Sequence, residues 1–341
     1  MQIAAPYFAY THFKGPKWAF RFTTESDNLM YLEYFGLRKP PFRITPDTHV
    51  FFEGSDRGAA LQALCYAIDQ GEGITKVVGE VGTGKTMLCR MLPLKMKNHV
   101  DWVYLAHPSL SPEHTLHAIA QEMGLSILDS DDKLNVMRQL HLALMERHAQ
   151  GRRVVVLVEE AQGMSLETLE EIRLLSNLET DENKLLQLVL FGQPELDEKL
   201  ADSSIRQLRE RITYSLYLEP LEPPDIHTYL NFRLRAAGYK GPDLFTRQLA
   251  KVIANYSQGL IRRINIIADK TLLAAFTQNR HTLKIEDIRN AAQDSQFTSR
   301  RHWWQVWSMA GVIMLAAGIS PALEWQKTVW NLNTPQLESN K

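Results

Sequence analysis

Cysteine is scarce, with two in 341 residues, so no disulfide framework holds this fold together. Cys65 and Cys89 both fall in stretches that read as helix, which points to reduced thiols in a cytosolic compartment. No Cys/His spacing suited to a metal is present. Charge of one sign is lacking as well: 38 Lys and Arg against 39 Asp and Glu leave a net charge of -1, which argues against a partner recognised through overall positive charge, nucleic acid above all. Long apolar runs are missing until residue 306, and nothing near the start has the layout of a signal peptide. Hydrophobic and charged contents of 45% and 23% are globular values, and the length allows two domains.

What is present is a complete G-x-x-x-x-G-K-[ST] pattern, Gly79-Glu-Val-Gly-Thr-Gly-Lys-Thr, between an apolar run at 74–78 and a helix-forming stretch at 87–97. Strand, loop and helix in that order form a phosphate cradle. The glycines let the backbone N–H groups of Gly79, Glu80, Val81, Gly82, Thr83, Gly84, Lys85, Thr86 and Met87 close on a nucleotide's phosphates. Lys85 would reach the outer phosphates of ATP, and the Thr86 hydroxyl would hold Mg²⁺.

The apolar run at 154–158 ends in Glu159-Glu160, an acidic pair suited to the metal and to the attacking water. Glu159 is assigned to Mg²⁺ and Glu160 to the general base. Asp is usual at the first position, and Glu is one methylene longer, a shift of roughly 1.3 Å, so hydrolysis is expected to be slow or metal-selective. Gln193, after the next apolar run, is the candidate sensor of the outer phosphate. Arg211, with Arg209 as runner-up, is the candidate arginine finger for a neighbouring subunit's site, and Arg206 lies in the same cluster. Arg262 is the candidate that reports nucleotide state from a later helix, with Arg263 as the alternative.

Apolar runs at 74–78, 102–105, 154–158, 185–191 and 213–218 alternate with helices, the arithmetic of an α/β fold with a buried parallel sheet. Ser111-Pro112 starts one helix and Gly124 stops it. The next carries Leu134, Met137, Leu140 and Leu144 on a stripe expected in the core and ends near Gly151. From 222 to about 298 strands give way to helices punctuated by Gly238, Gly241 and Gly259, after a stiff connector at Pro220, Pro223 and Pro224. The expected division is 1–29 as an upstream segment with Met30 the true start, 30–220 the nucleotide-binding core, 221–298 a helical lid, 303–325 a membrane span and 326–341 a short tail. The span rests on 306–323, which carries no charge; at 1.5 Å per residue it covers about 27 Å, and Trp303, Trp304, Trp307 and Trp325 would widen it to the interfaces. Arg300 and Arg301 before it place the preceding domain in the cytoplasm.

Together these parts resemble an AAA+ ATPase. At Tyr31-Leu-Glu-Tyr-Phe-Gly-Leu with Pro41-Phe42, at the phosphate loop, at Glu160-Ala-Gln, at Gly192-Gln-Pro-Glu-Leu and at Arg262-Arg-Ile-Asn, the chain is similar to the general secretion pathway protein A family over about residues 30–298. The resemblance implies an αβα sandwich with a five-stranded parallel sheet in the order 5-1-4-3-2, an all-α lid and a C-terminal transmembrane helix. It also implies ATP held between core and lid, with adenine near 52–60, and ring-like self-association. Partners would be inner-membrane proteins of type II secretion or, as the short tail favours, of mannose-sensitive haemagglutinin (MSHA) type pilus assembly, with no specific nucleic acid. A DNA-transposition helper with a similar module, or a nucleotide-dependent scaffold with little hydrolysis, are the alternatives.

Overall fold

A computed structural model describes residues 31–298, apart from 72, 97, 98, 107, 108, 129–131 and 182. Strands β1 Ile74–Gly79, β2 Val100–Leu105, β3 Arg153–Val158, β4 Leu186–Gly192 and β5 Ile212–Leu218 form one parallel sheet in the order β2-β3-β4-β1-β5. Read from its other edge, this is the order the resemblance implies. Side chains alternate between faces along each strand. Val154, Val156 and Val158 of β3 enter one core while Val155 and Leu157 enter another, so the sheet is buried on both sides.

Helices α1 Arg57–Gln70 and α2 Lys85–Lys95 cover one face. Helices α3 Pro112–Glu122, α4 Lys133–Ala149 and α5 Leu166–Leu175, with the short α6 Glu195–Leu200 and α7 Arg206–Arg209, cover the other. Their ends follow local chemistry. Ser111, Asp132 and Ser165 accept a backbone N–H from the first turn of α3, α4 and α5, and Gly124 closes the turn after α3 in the left-handed region at φ 78°. The stripe read from α4 is corrected at one position. Leu140 and Leu144 are buried and Met137 packs against the same core, joined there by Val136 and Ala143, whereas Leu134 is 79% exposed. The helix is capped at Asp132, and packing of Val136 turns Leu134, two residues away, to the opposite side.

The lid consists of α8 Pro223–Ala236, α9 Arg247–Ser257, α10 Ile261–Thr277 and α11 Ile285–Asp294 around a separate core. That core also buries Tyr31, Leu32, Phe35, Leu37 and Phe42. The segment grouped with the nucleotide-binding core from sequence thus packs in the lid. Tyr31 donates to Asp269 at 2.8 Å, Arg233 Nε to the Pro41 carbonyl at 2.7 Å, and the Arg38 N–H to the Ala237 carbonyl at 2.8 Å. Residues 31–52 form a strap that runs from the lid to α1. Among the described residues no helix is long and apolar enough to cross a membrane. The 1–29 segment, the expected span at 303–325 and the tail lie outside the described residues.

Candidate functional site

After β1 the chain turns into α2 on one face of the sheet, and after β4 into α6 on the other, so a crevice opens at the carboxyl ends of these adjacent strands. The phosphate loop fills it. Gly82 and Gly84 sit in the left-handed region at φ 89° and 109°. A Cβ on Gly82 would lie 2.9 Å from Arg262 Cβ, so the loop and the start of α10 need a glycine there. Lys85 Nζ donates to the carbonyls of Gly79 at 2.6 Å and Glu80 at 3.1 Å. Burial pushes its pKa down, against the charges of Glu160, Glu80, Glu159 and Glu195.

Glu159 and Glu160 follow β3. Glu159 Oε1 is buried and has no hydrogen-bond partner among the described residues. Its carboxylate faces Cys89 and Tyr104, whose pKa values rise through burial first and then through hydrogen bonds to Glu159 and its charge, so thiol and phenol stay protonated. Glu160 adopts φ 53°, a left-handed conformation uncommon outside glycine, asparagine and aspartate. Gln162 and Gln193 both donate their side-chain amides to its Oε2, at 2.6 and 2.8 Å, and the Gln193 backbone N–H donates to Gln162 Oε1 at 3.0 Å. Burial works upward on the Glu160 pKa, but the two amides, Lys85 and Arg262 together hold it below the usual carboxylate range. The carboxylate is therefore ionised and free to accept a proton, although its lowered pKa makes it a weaker base.

Above the loop, the Arg262 backbone N–H lies 3.4 Å from the Gly82 carbonyl, and Arg262 lines the same cavity of about 250 Å³ as Lys85, Thr86, Met87 and Glu160. Arg263 turns away, donating to Gln258 at 3.1 Å and lying over Phe297. The cavity also takes in Arg43, Thr45, Pro46, Phe51, Phe52, Arg57, Tyr229, Arg233 and Asn265. Of the stretch 52–60 expected to meet adenine, only Phe52 and Arg57 line it; the strap before it was missed. Beneath lies a buried network in which Tyr229 donates to Asn265 at 2.8 Å, Arg233 to Tyr229 at 3.4 Å, and Asn265 to the Arg43 carbonyl at 3.3 Å.

Arg209 and Arg211 stand apart, before β5 and so at the other end of the sheet. Arg211 Nη1 donates to Ser176, at 3.2 Å to the hydroxyl and 3.4 Å to the carbonyl. Arg206 pairs with Glu210 at 2.8 Å, and Arg209 is exposed.

The parallel sandwich, the glycine-rich loop over the start of α2 and the acid pair two strands away define an AAA-type nucleotide-binding domain. An AAA domain family model matches residues 68–200. The chain is 39% identical over 293 residues to General secretion pathway protein A of Aeromonas hydrophila, covering 85% of this chain and 53% of the relative, so it spans about half that relative's length. Among solved structures, CDC6P from Pyrobaculum aerophilum aligns with TM-score 0.57 at 20% identity, over 73% of this chain and 71% of that one. The Aeropyrum pernix ORC2 protein, in its ADPNP-ADP complexes, aligns with TM-score 0.54 at 18% identity, over 72% and 71%. At these identities the two structures share the fold. The chain belongs to the general secretion pathway protein A family.

Proposed function

We propose that this protein is an ATPase anchored in the inner membrane that assists type II secretion or MSHA-type pilus assembly, working as a ring-like oligomer. The observation that carries hydrolysis is the Glu160 carboxylate, held ionised by Gln162 and Gln193 on the cavity that Lys85 and Arg262 also line. The relative's name and the 39% identity support the secretion role. The charge-free stretch at 306–323 with its flanking tryptophans supports the anchor.

The loop N–H groups of 79–87 and Lys85 would hold the phosphates, and Arg262 would neutralise charge from the lid. Glu160 would take the proton of the attacking water, and Gln193, bonded to that carboxylate, would link it to the outer phosphate. Thr86 and Glu159 fit Mg²⁺. Both are hard oxygen donors, and Glu159 Oε1 is buried with no hydrogen-bond partner among the described residues, although Cys89 and Tyr104 bond to the same carboxylate. When bound, that ion would offset negative charge on the phosphates. The finger for a neighbouring copy would be Arg209, which is exposed, while Arg211 is engaged by Ser176.

Turnover of the wild type, Glu159→Asp and Glu160→Gln tests this reading. Loss of a general base costs about 10²- to 10⁴-fold, so Glu160→Gln is expected to bind ATP normally and turn it over at least 100-fold more slowly. A wild type as inactive as Glu160→Gln would leave a nucleotide-dependent scaffold instead. Release of the full-length protein from membranes by carbonate would remove the anchor.

A further inference from the structure

Arg57 opens α1, yet its side chain turns inward, beneath the phosphate loop. It is 4% exposed and lines the nucleotide cavity. Nη1 donates to the Ser55 carbonyl at 2.8 Å, and Nη2 donates to the carbonyls of Thr83 at 3.2 Å and Glu219 at 2.9 Å. Nε is buried with no partner among the described residues. The hydrogen bonds of this buried cation all go to backbone carbonyls. Burying a guanidinium without a bonded carboxylate is costly, and the chain also holds Ser55 and Asp56 at φ 52° and 62° to bring it there.

The three acceptors belong to three different parts. Ser55 lies in the turn between the strap and α1, Thr83 lies in the phosphate loop, and Glu219 follows β5 where the connector to the lid begins. The Thr83 carbonyl shares its peptide plane with the Gly84 N–H, and in a trans peptide the two point opposite ways. Holding the carbonyl toward Arg57 therefore aims the Gly84 N–H away from it, and a charged donor on the carbonyl polarises that N–H. From Glu219 the connection continues. The Leu221 N–H donates to the Gly259 carbonyl at 2.9 Å, and a Cβ on Gly259 would lie 2.4 Å from the Leu221 carbonyl oxygen, so this contact has no slack. Two residues later α10 begins, and its Arg262 N–H returns to Gly82. Loop, Arg57, connector and α10 form a closed circuit.

We propose that Arg57 is a positioning residue of the nucleotide site, aiming the Gly84 N–H at the phosphates and making the connector at 219–224 respond to their arrival. The inference rests on nucleotide binding at the loop. Lysine would keep the charge but is a compact donor that cannot present one rigid fork to three diverging carbonyls.

The test uses the full-length chain as wild type, Arg57→Lys and Lys85→Ala, with fluorescent ADP titration and hydrogen exchange. In the wild type, saturating ADP is expected to slow exchange at 82–87 and at 221–229 together. In Arg57→Lys, ADP affinity should fall about tenfold, the order expected for losing one hydrogen bond to a charged group. At saturation the loop should still be protected while 221–229 is not. A structural role alone would lower the melting temperature without nucleotide and leave the protection pattern intact, and that result would overturn the proposal. Should Arg57→Lys fail to fold, the wild type still decides: protection of the loop without 221–229 overturns it. A wild type that binds ADP no better than Lys85→Ala removes the nucleotide reading itself, and this inference with it.

Discussion

The two walls of the cleft are built on different principles. On the core side, Lys85, Thr86, Glu159 and Glu160 are placed by backbone, where parallel strands end on a sheet buried on both faces. On the lid side, Tyr229, Arg233 and Asn265 are placed by bonds to one another and to the strap at Pro41 and Arg43. A strand end is held by a ladder of hydrogen bonds; a side-chain network is held by its members. The core wall should therefore tolerate change everywhere but at the reacting groups and at Arg57, which holds the loop by a side chain, and the lid wall should fail when a distant strap contact is lost.

The largest effect tests the core wall. Lys85 is buried and bonded to the carbonyls of its own loop, from which it would swing onto phosphate. A hydrogen bond to a charged group contributes about 1.5–3 kcal/mol, and Lys85 would also neutralise charge. Lys85→Ala should weaken ATP and ADP binding by about 100-fold in calorimetry while leaving the melting temperature of the empty protein unchanged or raised. A fall in that temperature would mean that the lysine holds the loop together.

The lid wall is tested next, at Tyr31, remote from the loop. Its hydroxyl donates to Asp269, whose carboxyl burial raises above its usual value while Tyr31 and Lys270 pull it down. A carboxyl whose pKa rises on folding contributes stability that is complete below the unfolded value and lost as pH rises through the folded one. The tyrosine donor thus matters most when the carboxylate is charged. Tyr31→Phe should cost about 2 kcal/mol at pH 7, the penalty of a buried group left without its donor, and less at pH 4, by chemical denaturation. Nucleotide binding should weaken with it, since the same strap carries Arg43 and Phe52 into the cleft. Equal costs at the two pH values would detach Asp269 from the strap's stability.

The same contrast decides what could be read from sequence. The core wall was legible because its signals are contiguous: a glycine pattern after an apolar run, and an acid pair at the end of another. The lid wall was not. Tyr229, Arg233 and Asn265 read as ordinary helix residues, and only the phase of α10 sends Arg262 into the cavity and Arg263 to Gln258. The strap's sequence gives no sign that it leaves the core that follows it, because Phe35 and Phe42 find their apolar surface on helices far along the chain, in the lid. Arg57 carried no pattern at all, because its partners are backbone carbonyls from segments up to 162 residues away.

The smallest effect sharpens the comparison at a second place, besides Arg57, where the core wall also relies on side chains. Glu160 Oε2 accepts from both Gln162 and Gln193, and these amides help to hold its pKa down against burial. Because the folded value is depressed, the carboxylate stays charged until the pH falls below the usual carboxylate range, and the acid limb of kcat/KM should lie there. Gln193→Ala and the Gln162→Ala/Gln193→Ala pair each remove donors to the charged form, so the limb should move to higher pH, furthest for the pair. The single variant should move it less, since Gln162 keeps its own bond. If the limb stays in place, water replaces the amides at no cost, and Glu160 is positioned by its backbone alone.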